Sequence, residues 1–314
     1  MISSCFRLVK PRARSRSTRP GLDGGERLVV EHDITIEDVE YVRHGDRPLV
    51  ARLYRPHGRG PFPAMVYLHS GAWCSNDRTT DDALCRALAL SGVVVASLDF
   101  TMPPRAPYPA SLLDINYGIR WVKANADDLA TRPDTVGVMG ASSGGHQAIL
   151  TAMRPHDARY AALPSPRDRP GAFDATVCCA VLLWPVIDPL GRYRYAQQLK
   201  AGHDAPAVAE LVLHAHVQYW GTEDAMAEGS PVLALERGES SALPPVLYIQ
   251  GTEDVVHPRD HLERFVTLYR AAGGLLRLEL ADGARQGFIR LDPEAPESAR
   301  AREQTVEFIH EHVR

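Results

Sequence analysis

Six short apolar runs set the fold class of this chain. They are 64–68 (AMVYL), 93–98 (VVVASL), 136–139 (VGVM), 177–183 (VCCAVLL), 246–249 (VLYI) and 275–280, bounded by Gly, Pro or polar residues. Continuous apolar strands separated by helical stretches imply an α/β fold whose mostly parallel central sheet is covered by helices on both faces. The helices are predicted at 81–91, ending at Gly92; at 111–124, with Leu112, Ile115, Ile119 and Val122 at helical spacing; at 259–272, ending at Gly273-Gly274; and at 299–313. Ahead of the first run, 33–41 and 49–54 alternate apolar and polar residues around a turn at His44-Gly45-Asp46, which predicts an antiparallel hairpin at a sheet edge. Two stretches break the alternation. Residues 154–175 are rich in Pro, Arg and Asp and read as a surface loop. Residues 188–238 form a long insertion with a helical pattern at 206–220 and the aromatics Tyr193, Tyr195, Tyr219 and Trp220. Ligands of open α/β sheets bind beyond the C-terminal ends of the strands. An insertion there reads as a helical cap over the site, with a structural excursion that touches no substrate as the other reading.

At 314 residues the chain is long enough for one large α/β domain or two small ones. We expect a single domain over 28–314, with its cap at about 188–238, preceded by a tail at 1–27. A net charge of −4 offers no basic surface for nucleic acid. The local exception is the opening stretch, where Arg7, Lys10, Arg12, Arg14, Arg16 and Arg19 precede any acidic residue. It reads as a disordered tail, or product of an upstream start codon, or as a targeting peptide. No apolar segment suits a secretory signal, and none approaches the roughly 20 residues a membrane helix needs. Cys5, Cys74, Cys85, Cys178 and Cys179 show no metal or disulfide spacing, which points to free thiols in a reducing, cytoplasmic setting.

The chemistry begins at 136–146. A strand runs into Gly140-Ala141-Ser142-Ser143-Gly144 and then into a helical pattern. G-x-S-x-G acquires meaning in this strand–turn–helix setting. The serine must stand on a sharp, strained turn, and side chains two residues to either side would collide with it, so both are glycine. The helix that follows points its unpaired N–H groups at developing negative charge. Ser142 is the candidate nucleophile, and the N–H of Ser143 is a candidate oxyanion donor.

Leu68-His69-Ser70-Gly71-Ala72-Trp73 follows an apolar strand, and it resembles the His-Gly-Gly-x-Trp loop of the esterase/lipase α/β-hydrolases, the hormone-sensitive-lipase-like esterases and kynurenine formamidases among them. Ser70 replaces the first glycine. The resemblance continues through Asp99-Phe100, Pro107-Tyr108-Pro109-Ala110, Gly144-Gly145-His146 and Ser230-Pro231, nearly the whole length from Asp33 onward. It implies the α/β-hydrolase fold with a cap, oxyanion donors at Gly71 and Ala72, and packing roles for His69 and His146. It also implies an acid at Asp254, in Gly251-Thr-Glu-Asp254 with a proline four residues on, where a carboxylate would orient an imidazole.

The family then has a histidine followed by Gly-Phe. Here Gly287-Phe288 is preceded by Gln286. An amide cannot take a serine proton near neutral pH, and losing the base costs on the order of 10⁶-fold in kcat. Three explanations stay open. Another base acts, with His257 the nearest and His261, His214 and His216 behind it. Or the protein has left hydrolysis and binds a ligand in the same pocket. Or Gln286 is an introduced substitution. The reading is a serine-type carboxylesterase acting on a small or medium ester, amide or lactone, with Ser142, Asp254 and the Gln286 position as its catalytic set. It calls for no metal or cofactor, for a small-molecule substrate, for neither nucleic acid nor membrane as partner, and it leaves a homo-oligomer open. The alternative is a non-hydrolytic, ligand-binding member of the same fold.

Overall fold

The computed structural model describes residues 31–168, 173–201 and 207–313. The basic tail expected at 1–27 lies outside these residues.

Eight strands form one sheet in the order β1-β2-β4-β3-β5-β6-β7-β8. β1 (Ile34–His44) and β2 (Arg47–Pro56) are the expected hairpin, and β2 also runs antiparallel to β4 (Val94–Leu98). From β4 onward every neighbouring pair is parallel: β3 (Ala64–Leu68), β5 (Val136–Ala141), β6 (Ala180–Leu183), β7 (Val246–Gly251) and β8 (Leu276–Ala281).

Strand periodicity divides the core into two layers. Ala64, Val66 and Leu68 of β3 face one layer, with α2 (Ala110–Ala124), α3 (Ser143–Met153) and α8 (Arg259–Ala271). Met65 and Tyr67 face the other, with α1 (Asp82–Leu90) and α10 (Pro296–His312). α8 shows why such segments are helices: Leu262, Phe265, Val266 and Tyr269 recur at the three- and four-residue spacing that forms one apolar face.

The insertion folds as four helices, α4 (Pro189–Ala201), α5 (Ala207–Trp220), α6 (Glu223–Glu228) and α7 (Pro231–Glu236). α4 was not visible as a helix in the sequence because it carries no apolar stripe. Thr222 and Ser230 cap α6 and α7, accepting from the N–H groups of Ala225 and Leu233. The cap has its own small core of Trp73, Val186, Tyr219, Trp220 and Met226.

Three expectations need correction. β6 is shorter than the apolar run 177–183, because its ladder with β5 and β7 begins at Ala180. The stretch after Arg154 is not all surface loop. Tyr160 is fully buried, its hydroxyl 2.8 Å from that of Tyr108. Arg154 reaches Glu228 and Glu239 at 2.6 Å each, fastening α6 to the body. The last helix begins at Pro296 rather than 299, since proline suits the first helical turn. A short α9 (Phe288–Leu291) precedes it.

Candidate active site

Ser142 sits between β5 and α3 with φ 52° and ψ −115°, a backbone conformation that side-chain-bearing residues rarely adopt. Three backbone bonds hold it there. Its N–H donates to Leu183 at 2.9 Å, and its carbonyl accepts from His146 at 3.0 Å and Val186 at 3.1 Å. The glycines are required by space. A Cβ on Gly140 would stand 2.4 Å from the Gly144 carbonyl, and one on Gly144 would stand 2.1 Å from the carbonyl oxygen of Leu68. The second contact also shows that the elbow abuts the end of β3, where the 69–73 loop begins.

In that loop Gly71 has φ 131°, and a Cβ there would meet the Ser75 carbonyl at 2.1 Å. Ala72 and Trp73 follow with φ 50° and 63°. The carbonyl of Gly71 accepts from Cys74 and Ser75, and the carbonyl of Ser70 accepts from the Asn76 side chain at 3.1 Å. The N–H groups of Gly71, Ala72 and Ser143 donate to no backbone carbonyl among the described residues. His69 lies under the loop, its ring stacked on Phe100 and its Nδ1 2.8 Å from the Ser70 carbonyl. His146 is fully buried. It accepts from Trp73 Nε1 at 3.2 Å, and its Nε2 donates to the Gly229 carbonyl at 2.9 Å. Burial lowers its pKa to about 4, so it remains a neutral packing group.

Asp254 stands in the loop after β7 and is held in a tight local geometry. Its Oδ1 accepts from the N–H groups of Val256 at 2.8 Å and His257 at 3.0 Å. Its Oδ2 accepts from His257 Nδ1 at 2.8 Å. The opposite ring nitrogen, His257 Nε2, lies 3.2 Å from Ser142 Oγ. With Nδ1 donating to the carboxylate, Nε2 carries the lone pair that faces the serine hydroxyl. The loop is braced from below. Gln250 Nε2 donates to the His257 carbonyl at 2.9 Å, and Tyr248 donates to Gln250 Oε1 at 3.1 Å.

The electrostatics suit this arrangement. Burial holds the His257 imidazole below its ordinary pKa, against the pull of Asp254, and the Arg192 cation pushes the same way as burial. Burial would raise the Asp254 carboxyl, but the His257 ring and the two backbone N–H groups outweigh it and hold the pKa below the usual range. The pair therefore rests as neutral imidazole and carboxylate.

The structure thus brings together Ser142, His257 and Asp254. It does not bring Gln286 to them. Gln286 is half-buried in the turn before α9, and no hydrogen bond links it to Ser142 or Asp254 among the described residues. Of the other histidines, His214 is exposed and His216 packs edge-on against Trp73. His261 lines the same cleft as His257. Two contributors escaped the sequence reading. Gln250 left a faint signal, as a polar residue ending an otherwise apolar strand. Arg192, buried in α4 and lining that cleft, left none.

Comparison with known proteins agrees with this architecture. A family model described as the alpha/beta hydrolase fold matches residues 65–290. The chain is 28% identical over 290 residues to the carboxylic ester hydrolase LipN of Mycobacterium tuberculosis, covering 90% of this chain and 71% of that protein. It is 27% identical to esterase LipC of the same organism, covering 72% of this chain but only 56% of LipC. Among solved structures, an esterase of Pyrobaculum calidifontis superposes with a TM-score of 0.73 at 28% identity, covering 91% of this chain and 88% of that one. With its sheet order, elbow and cap, and with this match over most of its length, the chain belongs to the α/β-hydrolase fold family, among the relatives of carboxylic ester hydrolases.

Proposed function

We propose that the protein is a carboxylesterase in which Ser142 is the nucleophile, His257 the general base and Asp254 the residue that orients it. The observation that carries the reading is the continuous contact from Ser142 Oγ to His257 Nε2 at 3.2 Å and from His257 Nδ1 to Asp254 at 2.8 Å. The names of the relatives support the ester as substrate.

The chemistry follows from these groups. His257 Nε2 takes the hydroxyl proton as Ser142 Oγ bonds to the ester carbonyl carbon. The carbonyl oxygen becomes an oxyanion and receives hydrogen bonds from the N–H groups of Gly71, Ala72 and Ser143. Collapse expels the alcohol, which leaves with the proton from His257 Nε2. Water, deprotonated by the same nitrogen, then attacks the acyl-serine; the acyl–Oγ bond breaks, Ser142 Oγ takes the proton back from His257 Nε2, and the acid is freed. Asp254 keeps Nδ1 protonated throughout and stabilises the imidazolium that forms transiently. The base thus sits three residues after the acid, and Gln286 takes no part in proton transfer.

Hydrolysis of p-nitrophenyl acetate by the wild type, Ser142→Ala and His257→Ala tests this. Turnover that disappears in both variants supports the assignment. Turnover that survives Ser142→Ala removes the serine from the mechanism.

A further inference from the structure

Arg192 is 3% exposed, and its Nε and Nη1 atoms find no hydrogen-bond partner among the described residues. It lines the cleft that contains His257, together with Val186, Asp188, Tyr248 and His261. Val186 also donates its N–H to the carbonyl of Ser142, so the cleft adjoins the elbow. On its other side Arg192 lines an apolar groove with Tyr195, Ala196, Leu199, Val212 and Val255.

A guanidinium stays charged at neutral pH, even where burial lowers its pKa to about 10 as it does here. Buried donors without acceptors are rare in native proteins. Arg192 therefore has donors to offer an acceptor that enters the cleft. Two carboxylates stand near and neither fills that role. Asp188 accepts from Gly191 N–H and Ser230 Oγ through Oδ1, and its Oδ2 lies 3.4 Å from Arg264. Asp254 has both oxygens committed to Val256 and His257 and attracts Arg192 through space alone. Arg192 thus lines one cleft with His257 and has two donors without a partner among the described residues.

We propose that Arg192 binds a carboxylate carried by the substrate, so that this protein acts on half-esters of short dicarboxylic acids in preference to neutral esters. The proposal rests on the reading of Ser142 and His257 as the reacting pair.

Two ethyl esters of matched shape separate the possibilities: ethyl hydrogen succinate, and ethyl levulinate, in which a methyl ketone replaces the carboxylate. Ethanol release by the full chain near neutral pH should favour the half-ester by about ten- to a hundred-fold in kcat/KM. In Arg192→Met that ratio should fall toward one, and in Arg192→Lys it should be partly kept. Equal turnover of the two esters by the wild type, or a preference for levulinate, overturns the proposal. So does an equal loss on both esters in Arg192→Met, which assigns Arg192 a structural role. If the wild type hydrolyses neither ester, the esterase reading fails, and calorimetry on the Ser142→Ala variant decides the inference separately. Ethyl hydrogen succinate binding about tenfold or more tightly than ethyl levulinate supports the carboxylate site, and equal or absent binding overturns it.

Discussion

Asp254 and His257 lie three residues apart on one loop, and the imidazole Nδ1 stands 2.8 Å from the carboxylate it donates to. The carboxylate and the imidazole of the proposed relay to Ser142 thus come from a single turn of chain after β7. The loop after β8, which holds Gln286, contributes neither.

The first expectation follows from that division. His257→Ala should lower kcat on an activated ester by about 10⁴- to 10⁶-fold, the cost of removing the base from a triad. Gln286→His should change kcat by no more than about threefold, since the place before Ser142 Oγ is already filled. Steady-state kinetics on the two variants checks both. A large gain from Gln286→His would return the base to position 286.

The pH dependence carries a definite sign. In the proposed mechanism only neutral His257 accepts the serine proton, and burial holds its pKa below the ordinary histidine value. kcat/KM for a neutral ester should therefore be level through neutral pH and fall on the acid side, with its midpoint below that of a solvent-exposed histidine. Arg192 disfavours the imidazolium. Arg192→Met removes that repulsion, raises the pKa and moves the acid limb upward. The variant should lose proportionally more activity at about pH 6 than at about pH 8. A limb that stays in place, or moves down, would show that Arg192 does not act on His257.

Gln250 offers a test of positioning. Gln250→Leu removes the donor to the His257 carbonyl and leaves the Tyr248 hydroxyl without its acceptor. The loss should lower stability by about 1–3 kcal/mol. By letting the imidazole drift it should lower kcat about 10- to 100-fold, with a smaller effect on KM. An unchanged kcat in a folded variant would mean that the Asp254 turn alone holds the ring.

The elbow should reveal its strain through an inversion of the usual glycine penalty. Glycine is ordinarily less stable than alanine in a regular element. At φ 52° and ψ −115°, however, position 142 favours the residue without a Cβ. Ser142→Gly should exceed Ser142→Ala in unfolding free energy by about 1 kcal/mol, measured by urea denaturation, with both variants inactive. The reverse order would mean that the turn relaxes once the serine is gone.

The fold was legible because uninterrupted apolar strands have few alternatives to a covered parallel sheet. The runs at 64–68 and 246–249 lie within β3 and β7. α4 was hidden, since its buried faces are Pro189, Arg192 and Ala196 rather than a stripe of large apolar side chains. In the site, Ser142 and the glycines around it were readable from motif and spacing, because sterics at the elbow admit little else. That Asp254 stands in the loop after β7 was legible from the apolar run before it, and the family resemblance implied its proposed role. The choice among His257, His261, His214 and His216 was not. It depends on where the β7 loop turns, and Asp254 creates that turn by accepting from two backbone N–H groups of its own loop. Arg192 was unreadable for a plainer reason. Whether a charge on a helix faces solvent or a closed cleft depends on how the whole cap is seated.

The joint residence of carboxylate and imidazole on one short piece of backbone has a mechanical corollary. When that piece shifts as a rigid unit, the contact between the two groups travels unchanged, and only their reach to the hydroxyl opposite lengthens or shortens. In the proposed mechanism the separation of the β7 loop from the elbow is then the one coordinate that sets the reach of the imidazole to the hydroxyl.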